Sequence, residues 1–150
     1  MSTSTTPGTL APATEQQSVL KYGVVAAVVA AVATTVLAAI ASAAGVSFTN
    51  SHSEDSIPIP TFTVFTLIFS LIGVGIAAVL ARKARRPRTT FLRTAIVLLV
   101  LSFIPDLTFG FDAGSTLTLM GLHLVAAAIV IPTLVRQLPV ERAAGVARAA

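Results

Sequence analysis

The chain has 150 residues, enough for one domain, with 55% hydrophobic residues, 11% charged residues and no cysteine. Soluble domains carry roughly 25% charged residues, so a wet surface cannot be built over this much apolar chain, and the mean hydropathy of +0.89 agrees. The missing cysteines exclude disulfides, thiolate metal sites and cysteine nucleophiles, while the net charge of +4 raises nucleic acid as a partner until the cations are placed.

Residues 1–20 are rich in Ser, Thr, Pro and Gln and predict a disordered tail. Tyr22–Val46 follows, 25 residues without a charge. As a helix it would reach about 37 Å, beyond the roughly 30 Å hydrocarbon core of a bilayer. Ala41-Ser42-Ala43 resembles a small-residue cleavage site. The apolar stretch exceeds the roughly 7–15 residues of a signal peptide, so a retained span is expected, with cleavage as the competing reading. The loop Ser47–Pro60 contains His52, Glu54 and Asp55, which could hold a cation loosely. A flexible loop implies no closed ligand geometry, so no metal site is expected.

Thr61–Ala81 is a second uncharged span. Phe62, Phe65 and Phe69 fall on one side of it, as packing or lipid-facing bulk. Ala81–Arg93 then reads ARKARRPRTTFLR and holds Arg82, Lys83, Arg85, Arg86, Arg88 and Arg93, six of the ten cations. Phe91–Leu107 is the third span, with Arg93 near its start and Asp106 near its end. Arg93 can snorkel to the headgroups along its aliphatic stem. Leu117–Val135 is the fourth, and His123 is its one ionisable group. Pro132 removes a backbone hydrogen bond inside it and marks either a hinge or a tolerated break. A soluble apolar hairpin competes for the last two runs, but neither shows a polar stripe at helical spacing.

The expected fold is therefore all-α, an integral membrane, up-down-up-down four-helix bundle over residues 21–138. Its spans lie at about 22–46, 61–81, 91–107 and 117–135, between the disordered N-terminal tail 1–20 and a C-terminal tail 139–150. With four spans, Lys21, the basic stretch, Arg136, Arg142 and Arg148 share one side, and the two loops opposite contain no Lys or Arg. The positive-inside rule then makes both termini cytoplasmic. The basic stretch fixes topology and touches anionic headgroups at the inner face. No aromatic residues interleave with those cations, so nucleic acid is not an expected partner.

Small residues recur at spacing four in the first span: Gly23, Ala27, Ala31, Thr35, Ala39 and Ala43, beside Ala26, Ala30, Thr34, Ala38 and Ser42. Val24, Val28, Val32, Val36 and Ile40 make a separate bulky row. Small faces let backbones approach closely in lipid. The face should meet the second span, through Gly73 and Ala77, or a second copy of the protein. Asp106 and His123 lie on spans joined by a short outer loop and should come within reach. They form either a structural polar pair or a proton relay.

The stretches IPIPTFT (Ile57–Thr63), RRPRTTFLRTAIVLLVLSFIPD (Arg85–Asp106) and LTLMGLHLVAAAIVIP (Leu117–Pro132) resemble a family of small actinobacterial membrane proteins of unknown function. The resemblance implies four helices and a bacterial inner membrane, and supplies no substrate. No phosphate loop, nucleophile elbow, zinc motif or dinucleotide fingerprint appears, so neither an enzyme nor a cofactor is expected. The expected function is a structural or accessory membrane protein acting through helix contacts, with itself as a homo-oligomer or with a membrane-protein partner. The alternative is a small transporter or proton-coupled permease using Asp106 and His123.

Overall fold

The structure, a computed structural model, describes residues 11–51 and 56–140, with side chains from Gln16 onward. The expected outer cation set His52, Glu54 and Asp55, the C-terminal Arg142 and Arg148, and the first ten residues of the expected tail lie outside the described residues. Among the described residues four helices follow one another: α1 (Ala11–Ala43), α2 (Ile59–Lys83), α3 (Pro87–Thr108) and α4 (Ala113–Gln137). Each is long and apolar enough to cross a membrane.

The ends of the helices have local causes. α1 stops at Ala43, short of the expected Val46, because Gly45 takes a left-handed φ of +97°. Gly45 N–H donates to the Ser42 carbonyl and Val46 N–H to that of Ala41, the paired bonds of a Schellman ending. α2 and α3 each carry proline in the first turn, Pro60 and Pro87, where a missing N–H costs nothing and φ is already helical. α4 starts on Asp112, whose side chain accepts from the Gly114 and Ser115 N–H groups.

α1 begins ten residues before the expected end of the tail, so 11–20 is helical rather than disordered. A span already formed extends at one hydrogen bond per residue without a new nucleus. Two tertiary contacts hold the extension. Val19 is fully buried in a cluster with Leu134 and Leu138, and the Gln16 side-chain carbonyl accepts from the Arg82 guanidinium.

The helices alternate in direction, with short turns from α2 to α3 and from α3 to α4 and a longer loop, 44–58, from α1 to α2. α1 lies against α2 and α4, and α3 closes on α2 and α4 from the other side, out of contact with α1. The face α1 turns inward is the small one: Gly23, Ala26, Ala27, Ala30, Ala31, Thr34 and Ala38 are all buried. The row Val24, Val28, Val32, Val36 and Ile40 is exposed, at 45–59%. At Gly23 a side-chain carbon would come 2.7–2.8 Å from the Val74 methyls. Absence of a side chain there sets how near α2 can come.

Two apolar clusters fill the interior. One, at the α1 N-terminal end, gathers Ala26, Ala30, Val74, Ala77, Phe91, Val130 and Leu134. The other, at the opposite end, gathers Ala38, Phe48, Leu119 and Leu122, with Phe62 and Phe111 against it. Thr34 meets Thr66 at 3.0 Å and Thr35 meets Thr63 at 2.6 Å, tying α1 to α2. Thr34 and Thr35 also donate to the Ala30 and Ala31 carbonyls. A hydroxyl has one proton, so Thr66 and Thr63 are the donors across the seam.

Candidate functional site

Two ionisable residues inside the spans, Asp106 and His123, meet between α3 and α4. Asp106 Oδ2 lies 3.3 Å from His123 Nε2. Helical side chains lean toward their own N-terminus. In antiparallel helices Asp106 and His123 therefore lean toward each other along the bundle axis, which closes the offset between a residue near the end of α3 and one ten positions into α4. The two differ in exposure: the Asp106 side chain is 8% exposed and that of His123 41%. Asp106 Oδ2 finds no well-aligned hydrogen bond despite the short separation and is buried without one among the described residues. Phe103 sets its ring edge-on to the imidazole at 6.2 Å. The Asp106 carbonyl accepts from the Thr116 hydroxyl at 3.3 Å, a second tie between the same helices. A buried carboxylate beside an accessible imidazole can hold and pass a proton, and can equally pin two helices.

Beyond this pair the connecting loops form a polar cap, only part of which is legible in sequence spacing. The Asp112 carboxylate accepts from the Ser115 hydroxyl at 2.5 Å and the Ser47 hydroxyl at 3.1 Å, besides the two N–H groups it caps. The Ser115 oxygen in turn accepts the Phe48 N–H at 3.1 Å. Phe48 is buried and holds a left-handed φ of 52°, unusual for an aromatic residue. Its ring packs 5.1 Å from Phe62. Ser51 N–H donates to the Gly110 carbonyl, and Asn50 pairs with Phe111 as an isolated antiparallel bridge. The α1–α2 loop is thus clipped onto the start of α4. Hydrogen bonds from Ser115, side chain first and then backbone N–H, hold the Asp112 carboxyl below the usual carboxylate range. The Asp112-x-x-Ser115 spacing at the head of an apolar run was a readable cap signal, whereas the Phe48 contact was not.

The remaining predicted residues fall as follows. Arg82 and Lys83 end α2, Arg85 and Arg86 form the turn, and Arg88 and Arg93 lie in the first two turns of α3. With Lys21 and Arg136 they gather at the end of the bundle that holds the α1 N-terminus. Ala27, Ala31 and Ala77 are buried between helices, but Ala39 is exposed. A side-chain carbon at Gly73 would meet nothing within 4 Å, so the close approach belongs to Gly23 instead. Phe65 and Phe69 stack on the exposed side of α2 and Phe62 turns inward. No group of three or more potential metal ligands occurs among the described residues.

Four packed spans with apolar outer faces define a small multi-pass membrane protein. The chain belongs to a family of unknown function (DUF6069), which matches residues 14–140. Comparison with curated proteins and with solved structures gives no match.

Proposed function

We propose that this is a structural or accessory protein, rather than an enzyme, of a bacterial inner membrane. Both termini are cytoplasmic, and it works through helix contacts with itself or with another membrane protein. One observation carries this reading: seven hydroxyls inside the spans are spent on the fold. Thr34, Thr35, Thr63 and Thr66 join α1 to α2, and Ser102, Thr118 and Thr133 return to carbonyls of their own helices. The charges support the orientation, because the end with Lys21, Arg82–Arg93 and Arg136 is the one that resists translocation. The small face of α1 is occupied by α2 and α4, so a partner would sit on the bulky outer faces. Cysteines placed at Val32 and Leu98, both exposed, should crosslink in native membranes to a second copy or a consistent neighbour. A chain that stays uncrosslinked at both positions and copurifies with nothing removes this reading.

The Asp106–His123 contact favours a second reading, a small proton-coupled permease. An imidazole that is part accessible and part against a buried carboxylate has both sides that proton transfer needs. Reconstituted protein should then give pH-gradient-dependent flux that His123→Ala abolishes. Flux unchanged by that substitution rules the relay out.

A further inference from the structure

Arg93 lies six residues past the start of α3, about 9 Å along the helix axis. Helical spacing puts it roughly opposite Phe91 and Asp106, two of the three residues α3 buries. It is exposed, and the same face continues as Ile96, Val97, Val100 and Ile104, each 50–59% exposed. A guanidinium on a lipid-facing surface, more than a turn inside a span, is costly unless an anion meets it. Among the described residues nothing bonds its side chain. The stem leans toward the α3 N-terminus, over Thr89 and Thr90, one turn back and both exposed. Arg85 and Arg88 are exposed at the same end, and no carboxylate occurs there among the described side chains.

We propose that this face of α3 binds one anionic phospholipid, its phosphodiester held by Arg93 with the Thr89 and Thr90 hydroxyls and an acyl chain lying along Ile96, Val100 and Ile104. The chemistry matches at both ends. A guanidinium takes the two non-bridging phosphate oxygens in a fork, hydroxyls donate to the same oxygens or to an ester oxygen, and the aliphatic row offers only apolar contact. The surplus of cations selects a lipid with net negative charge over a zwitterionic one. α3 is the span that buries least of itself in the bundle, so a seated lipid would also cover the surface its neighbours leave open. The inference rests on the membrane-spanning reading but not on which way the bundle faces, so a reversed orientation would leave it standing.

Native mass spectrometry of the detergent-solubilised chain, titrated with phosphatidylglycerol and separately with phosphatidylcholine, tests it. Phosphatidylglycerol should bind more tightly. Arg93→Gln should weaken that binding about fivefold, the weight of one basic residue at an anionic surface. The same change should leave phosphatidylcholine unaffected, and Arg93→Lys should keep most of the preference. Inorganic phosphate should not compete, because it lacks the acyl chain. Equal binding of the two lipids, an Arg93→Gln chain that keeps its preference, or full competition by phosphate would each overturn the assignment. So would a dimer that forms without lipid through this face.

Discussion

Gly23→Ala tests what sets the spacing of α1 and α2. The added methyl would lie 2.7 and 2.8 Å from the Val74 methyls and 3.0 Å from Leu134 Cδ2. Leucine can swing its terminal carbon aside, but a helical valine is nearly fixed in one rotamer. The helices must therefore part, and overpacking of this kind costs about 1–3 kcal/mol. Replacing glycine in a helix interior also returns about 1 kcal/mol of propensity. Gly73→Ala gains the same propensity with open space around it, so the difference between the two variants isolates the clash at about 1–3 kcal/mol. Reversible unfolding in mixed micelles, followed by circular dichroism, gives both values. If Gly23→Ala proves as stable as Gly73→Ala, the helices are not held at contact distance by that glycine.

Ser115→Ala removes the acceptor of the buried Phe48 N–H and should destabilise by about 1–3 kcal/mol, with faster amide exchange at Phe48; unchanged exchange would mean the clip does not hold. Asp112 has a depressed native carboxyl pKa, so its contribution is present above the ordinary carboxylate range and is lost as pH falls through the native value. Exchange at Phe48 should therefore rise in acid. Asp112→Asn, which keeps a capping side chain, should flatten that dependence, and a profile identical to the parent chain would refute the assignment. His123→Ala strands the buried Asp106 carboxylate and should cost more than the double change with Asp106→Asn. A double-mutant cycle reads the coupling, expected near ~0.6 kcal/mol and at most ~1.7 for a polar contact between membrane helices.

What could be read from the chain depended on how local its cause was. The spans were legible because 55% apolar residues fall in four runs whose lengths suit a bilayer. The small and bulky rows of α1 follow from helical spacing alone, and as far as Ala38 they separate inward and outward in the fold. The Gly45 ending of α1 was present in the sequence, yet it lay inside an apolar run that hydropathy extends to Val46. The helical start at Ala11 was hidden, since Gln16–Arg82 and the burial of Val19 are contacts between distant parts of the chain. The same holds for Phe48 and Ser115, which meet across 67 residues. Spacing could place Gly23 and Gly73 in small rows but could not say which one a neighbour presses upon.

The seams of the bundle are built differently, and the difference bears on where it can move. α1 is fastened by a continuous face of small residues and by two threonine pairs to α2. α3 buries only Pro87, Phe91 and Asp106. Backbone contact over a long face falls off together, so α1 can leave its place only as a unit. α3 rests on an aromatic anchor at one end and an aspartate–histidine contact at the other, with a chiefly aliphatic, outward-facing stretch between them. The end held by Asp106 and His123 is therefore fastened by a polar contact rather than by a long packed face. Either proposed role, a pinned helix or a relay, acts at that junction.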